Sequence, residues 1–251
     1  MTDNLALVTG GASGLGAVIA RTLNRRGTPV VLVDRDPEAA QVLADELDAR
    51  VPVTFIETDV SDEGAVRAMV AEASVLGRFG LVVNNAGGWT PGPQFPAGDG
   101  WHRSLDLNLR MPMLITQLVL PLMSASGAIV NVSSSGGWDS GAYGSPEYGA
   151  AKAGLIRFTT SVADFDERFG VRVSCVVPHW IGLDRAVREY EQLSTEDQQR
   201  SGGLVDPQLV ADTILGLGRD PKSSGRVVVI RAGHHPYPID PAAGDPMHGE
   251  T

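Results

Sequence analysis

Two rhythms of apolar residues alternate along this chain. Short runs dense in valine, isoleucine and leucine occupy 5–9, 30–34, 53–57, 81–84, 128–133, 171–177 and 227–231. Their lack of polar alternation predicts strands buried on both faces. Between them, segments 15–26, 37–49, 62–76 and 146–169 repeat apolar residues at spacings of three and four, which predicts amphipathic helices. In the first of these, Leu15, Val18, Ile19 and Leu23 share a face, Arg21, Arg25 and Arg26 lie off it, and Gly27 supplies the stop. Strand and helix in regular turn imply an α/β fold, a doubly wound Rossmann-type parallel sheet of about seven strands with helices on both faces.

Three stretches depart from the rhythm. Residues 87–100, GGWTPGPQFPAGDG, carry too much proline and glycine for an element and predict a long loop. Residues 183–206, rich in Glu and Gln, are expected to form a lid over a substrate pocket. The tail, 234–251, reads as irregular. No repeat or low-complexity linker divides the chain, so 1–251 reads as one domain.

Composition narrows the function classes. At 251 residues and 43% hydrophobic, the chain can bury one substantial core. A net charge of −10 argues against nucleic acid as the main partner, because phosphate binding needs a basic face. The lone cysteine, Cys175, excludes an internal disulfide and a multi-cysteine zinc site, and its setting in VRVSCVV predicts a buried, inert thiol. His234, His235 and His248 lack ligand spacing with carboxylates, so no metal is expected. The N-terminus lacks the basic start of a signal peptide, and no apolar run reaches the roughly 18 residues of a membrane span. The expected location is cytoplasmic, away from membranes.

The first candidate chemistry follows the first strand. Gly10, Gly14 and Gly16, with Ser13 and Leu15 between them, lead straight into a helix. Glycines let backbone approach a pyrophosphate, and a helix N-terminus offers free N–H groups and the positive end of its dipole. The second strand ends in Asp34, where a carboxylate can bind both adenosine ribose hydroxyls and repel a 2′-phosphate. Arg35 is the residue that could instead approach such a phosphate, but beside Asp34 the balance favours NAD over NADP.

These motifs, with others downstream, closely resemble the short-chain dehydrogenase/reductase family over nearly the whole chain. TGGASGLG is similar to the family's cofactor loop, Asp59-Val60 to its adenine-contacting pair, and Asn84-Asn85-Ala86-Gly87 to the segment beside the cofactor. Asn108, a serine of NVSSS, and Tyr148 with Lys152 fall in the order of its catalytic tetrad. The resemblance implies reversible hydride transfer between a nicotinamide and an alcohol or carbonyl substrate. Tyr148 would be the general acid and base. Lys152 would lower its pKa and bind the nicotinamide ribose, the serine would fix the substrate oxygen, and Asn108 would hold a water reaching Lys152. Counting from Asn131 places the serine at Ser134; counting back from Tyr148 reaches Ser135. Strand ends are fixed while loops absorb insertions, which favours Ser134.

After the sixth predicted strand the sequence leaves the family pattern. His179 replaces a glycine, and Leu183 stands near the expected threonine, leaving Pro178 and the Ile181 backbone to meet the nicotinamide carboxamide. His179 itself reads as a packed loop histidine. Trp89, Trp138 and Trp180 are expected around the pocket, where aromatic walls suit an apolar or ring-bearing substrate. The leading expectation is an NAD-dependent alcohol dehydrogenase or ketone reductase. The alternatives are an NADP-dependent carbonyl or 3-oxoacyl reductase, and a non-catalytic NAD-binding sensor or scaffold. By resemblance alone, the partner is a second copy of the chain, in a homotetramer or homodimer.

Overall fold

The computed structural model of the protein describes residues 2–89, 95–98, 100–139 and 144–240. Its strands are β1 (Thr2–Thr9), β2 (Val30–Asp34), β3 (Val53–Glu57), β4 (Gly77–Asn84), β5 (Met123–Val132), β6 (Val171–Pro178), β7 (Val227–Ile230) and β8 (Tyr237–Ile239). They form one sheet in the order β3-β2-β1-β4-β5-β6-β7-β8. All neighbours are parallel except β7 and β8. The helices are α1 (Gly14–Arg25), α2 (Pro37–Glu46), α3 (Glu63–Ser74), α4 (Trp101–Leu105), α5 (Met111–Val119), α6 (Pro146–Ser161), α7 (Phe165–Phe169), α8 (Asp184–Glu191), α9 (Thr195–Ser201) and α10 (Pro207–Arg219).

Strand alternation divides the core. Ala6 and Val8 of β1, with Val30 and Leu32 of β2, pack under α1, α2 and α10. Leu5, Leu7, Val31 and Val33 face the other way, toward α3 and α5. Every residue of β6 is buried, as a central strand covered on both faces requires.

Strands β1, β4 and β5 begin three to five residues before the expected runs, and three further differences change the elements themselves. The sheet has an eighth strand, drawn from the tail read as irregular: Tyr237–Ile239 pairs antiparallel with β7. Three residues containing a proline carry no period, and an edge strand tolerates Pro238. The helix expected over 146–169 is two, α6 and α7. At the break, Thr159, Thr160 and Ser161 donate their hydroxyls back to the carbonyls of Leu155 and Arg157, at 2.8–3.0 Å. Such bonds offer helical backbone a competing partner. Lastly, α2 stops at Glu46 because the side chain of buried Asn24 binds both backbone groups of Asp48, accepting its N–H at 2.9 Å and donating to its carbonyl at 3.3 Å. Of the tail, 241–251, with His248, lies outside the described residues, as do 90–94 and 99 of the long loop. Among the described residues, no helix is long and apolar enough to cross a membrane.

Candidate active site

The C-terminal ends of β1, β4, β5 and β6 open onto one cavity of about 1000 Å³. Most of the residues singled out in the sequence for cofactor and chemistry line it; Gly16, Asn84 and Asn108 do not, and both serines, Ser134 and Ser135, are on its wall. Doubly wound sheets bind ligands at this edge.

At one end of the cavity the backbone turns from β1 into α1. Gly10 and Gly14 take φ of 61° and 50°, the left-handed region that glycine adopts at little cost. Gly16 does not reach the cavity because it lies behind the turn: a β-carbon there would sit 1.8 Å from the Gly10 carbonyl oxygen. Ser13 caps α1 by backbone position only, its hydroxyl making no capping bond, and the first turn holds no acid. The N-terminal N–H groups are thus left for an anion, and the cradle fits the pyrophosphate of a dinucleotide. Thr9, the first residue of TGGASGLG but given no role of its own in the sequence, ties this turn to β4: its hydroxyl oxygen accepts the N–H groups of Asn85 and Ala86, both at 3.0 Å. The Asn85 amide donates in return to the carbonyls of Thr9 and Gly10, at 2.9 and 3.1 Å.

Asp34 stands at the end of β2 with its carboxylate accepting the Ala12 N–H at 3.1 Å and the Arg35 N–H at 2.8 Å. It braces the glycine turn as well as facing the cavity. Beside it, Asp59 accepts the Ser61 N–H and hydroxyl at 2.9 and 2.7 Å. Those two bonds, helped by the nearby Arg35 guanidinium, hold the Asp59 carboxyl below the usual carboxylate range.

The other end of the cavity holds Tyr148 and Lys152. Pro146 begins α6, and the Ser145 hydroxyl donates to the Glu147 carboxylate at 2.8 Å, closing the first turn. Tyr148 follows, with the Lys152 ammonium 5.6 Å from its ring centroid. Lys152 is buried and donates to the Val132 carbonyl at 2.8 Å, while the Ser133 hydroxyl donates to the Lys152 carbonyl at 2.8 Å. The strand end thus grips the lysine at both its head and its backbone. Ser134 accepts the Gly136 N–H at 3.2 Å, capping a short turn over Ser135–Gly137.

Asn108 is fully buried behind the cavity, in a π-helical turn, Asp106–Arg110, between α4 and α5. Its side chain is a clamp: it accepts the Gly88 N–H at 2.9 Å and donates to the Gly88 and Ser104 carbonyls, each at 3.0 Å. A β-carbon on Gly87 would lie 2.7 Å from Asn108 Oδ1 and 3.2 Å from Lys152 Nζ, so both groups crowd the same glycine.

Burial pushes the Lys152 ammonium down to about 8. The neighbouring Cys175 thiol is pushed up to about 12, again by burial, so it is neutral wherever Lys152 titrates and lends no charge. Stability should therefore depend on pH through Lys152. From about 8 to the ordinary lysine range, the unfolded chain holds a proton that the folded chain has released, and stability rises with pH. Below about 8 both states are protonated and the cost of burying the ammonium is carried in full. Relative to Lys152→Met, which removes the titration, the wild-type melting temperature should rise by on the order of 5 °C between pH 7 and 10. Calorimetric curves that run parallel across this window would refute the linkage.

Trp180, Ile181, Leu183, Arg185 and Ala186 line the remaining wall. Ile181 bridges Val205, with the Gly182 N–H donating to Val205 and the Val205 N–H to Trp180, both at 2.8 Å. The excursion between carries α8 and α9, where a lid is expected, and Tyr190 of α8 meets Trp180 edge-on at 5.8 Å. Trp89 and Trp180 line the cavity. Trp138 does not; it packs against a third buried cluster, which includes Ile156, Cys175 and Val177. His179 accepts the Arg231 Nε–H at 2.9 Å through Nε2, joining the ends of β6 and β7.

A family model described as short chain dehydrogenase matches residues 4–192. The cis-4-hydroxycyclohexanecarboxylate dehydrogenase of Sinomonas cyclohexanicum is 35% identical, over 92% of this chain and 96% of its own. The L-fucose dehydrogenase of Bos taurus is 35% identical over 81% of this chain and 76% of its own. Among solved structures, a variant of actinorhodin polyketide ketoreductase with NADPH superposes with a TM-score of 0.81 at 29% identity, covering 92% of this chain and 97% of that one.

Proposed function

Because the chain belongs to the short-chain dehydrogenase/reductase family, we propose that it catalyses reversible NAD(H)-dependent hydride transfer between an alcohol and its ketone or aldehyde, with Tyr148 as general acid and base. The observation that carries this reading is the single cavity shared by the glycine cradle, Asp34, Ser134, Tyr148 and Lys152. When bound, the nicotinamide supplies the hydride acceptor or donor. This chain supplies position and proton. In alcohol oxidation the Tyr148 oxygen takes the hydroxyl proton; in reduction it returns one to the carbonyl oxygen. The Lys152 ammonium, fixed by Val132, favours the phenolate. Ser134, whose oxygen already accepts the Gly136 N–H, keeps its own hydrogen to donate to the substrate oxygen; Ser135 is the alternative. With its side chain committed to Gly88, Asn108 would hold a water by its backbone carbonyl, to which Pro112, four residues on, gives no N–H. Trp89 and Trp180 suit an apolar or ring-bearing alcohol.

Asp34 supports NAD over NADP, since its carboxylate would face a 2′-phosphate. The second reading, an NADP-dependent carbonyl or 3-oxoacyl reductase, would need Arg35 to prevail over Asp34. Calorimetric titration should give a dissociation constant for NAD at least about tenfold below that for NADP, equivalent to about 1.4 kcal/mol; tighter NADP binding would overturn the assignment. A panel of secondary alcohols with NAD then tests the reaction itself, and absence of turnover across it would favour the sensor reading.

A second copy of this chain is the proposed partner, in a homotetramer or homodimer. A groove lined by Leu109, Met113, Leu120, Phe158 and Phe165 offers it an apolar face, and sedimentation as a monomer would exclude it. The buried, unpaired Cys175 suits a cytoplasmic location, which cell fractionation would check.

A further inference from the structure

Thirty acidic residues outnumber twenty Lys and Arg in this chain, yet the substrate end of the cavity is lined by cations and by no carboxylate. The acids on the cavity wall, Asp34 and Asp59, belong to its adenosine end. Most of the lining cations are already engaged. Arg35 stands by Asp59, and Lys152 donates to Val132. Arg185 lies 3.4 Å from Glu189, two residues beyond Leu183, whose side chain comes near Gly14 of the phosphate cradle. The guanidinium of Arg103, on α4, has neither a hydrogen bond nor an ion pair among the described residues.

Arg103 shares its wall with Trp89, which is 51% exposed although it faces the cavity. Both are placed by the same clamp. Asn108 holds Gly88, the residue before Trp89, through both backbone groups, and binds the carbonyl of Ser104, the residue after Arg103. One buried amide therefore ties together the backbone next to an aromatic ring and next to a guanidinium, both of which line the cavity that Tyr148 lines. A planar guanidinium offers paired N–H donors to a carboxylate, and the indole covers the apolar body next to it.

From this juxtaposition we propose that the alcohol substrate is an anion: its carboxylate, or an oxyanion of like geometry, is bound by Arg103 while its ring lies on Trp89. The proposal rests on the reading of the cavity as the seat of the cofactor and the alcohol. Arg103 is a binding residue here, and the proton transfer stays with Tyr148.

The test compares two uncharged–charged pairs of equal shape. Calorimetry on the NAD-loaded protein would measure binding of 4-acetylbenzoate against 4-acetylbenzamide, which requires no turnover. Initial rates with 4-(1-hydroxyethyl)benzoate against its amide would follow on the same samples. Wild type should bind the carboxylate at least about tenfold more tightly than the amide. Arg103→Gln should weaken carboxylate binding about 10- to 100-fold and leave the amide within about twofold, with Arg103→Lys between them. The Arg103 side chain is exposed and its guanidinium holds no other element, so a melting temperature close to that of wild type is expected of both variants. Equal binding of the two ligands by wild type, or equal weakening of both by Arg103→Gln, would overturn the proposal. Turnover of the amide with no preference for the acid would do so while leaving the dehydrogenase reading intact. Selective carboxylate binding without turnover of either alcohol would support the anion site and count against the reaction.

Discussion

Tyr148→Phe should lower kcat for alcohol oxidation about a thousandfold while leaving the dissociation constant for NAD within about twofold. The substitution deletes one oxygen and keeps the ring. The ring is what Lys152 faces, 5.6 Å from its centroid, and the lysine is held independently by the Val132 carbonyl and the Ser133 hydroxyl. The variant should therefore keep the cavity and lose only the oxygen proposed to receive the proton. Proton transfer by a positioned side chain contributes about 10²–10⁴ to rate. Residual turnover should lose the pH dependence that titration of the phenol imposes. The decisive measurement is single-turnover NADH formation from a secondary alcohol, because it reports the chemical step directly. A variant retaining more than about a tenth of the wild-type rate would remove Tyr148 from the chemistry.

Gly16→Ala acts on binding instead. The added β-carbon would sit 1.8 Å from the Gly10 carbonyl oxygen and 2.9 Å from the Asn85 amide nitrogen. Neither neighbour is a free side-chain end: Gly10 is backbone, and the Asn85 amide is bonded to Thr9 and Gly10. The turn must open, which displaces the N–H groups at the start of α1. Overpacking of this kind costs roughly 1–3 kcal/mol. NAD affinity should fall at least about tenfold, with a lower melting temperature. The matched control is Gly216→Ala, in α10, where nothing lies within 4 Å of the added carbon. That substitution should raise stability slightly, by about 0.4–1 kcal/mol, and leave NAD binding alone. NAD titrations that do not separate the two variants would show that the glycine cradle is not where the dinucleotide sits.

The strands were legible because valine-rich runs between helices carry a strong local signal, and β2 and β3 begin and end where expected. The eighth strand was not: Tyr237–Ile239 exists because β7 offers it an edge, and nothing within three residues announces that. The candidate site divides the same way. Glycine spacing, the terminal Asp34 and the pair Tyr148 and Lys152 are local patterns, and they converge on one cavity. The use of Asn108 as a clamp on Gly88 spans twenty residues and depends on how the β4 loop meets the π-turn, so sequence gives only the residue. Trp138 misled because loop tryptophans invite a pocket reading, whereas this one finds apolar cover against the cluster that includes Cys175 and Val177. Arg103 carried no signal at all. A surface arginine becomes notable only when its neighbours prove to be a cavity and not water.

The bridge between Ile181 and Val205 has an evolutionary side. Because the chain leaves the sheet region and returns to it at two adjoining residues, everything between them is an appendage with a closed neck. Insertions or deletions there alter the cavity's roof without shifting the register of β6 and β7, whose pairing lies below the neck. Such an architecture would let the strand ends and the appendage change separately, the appendage as one interchangeable part.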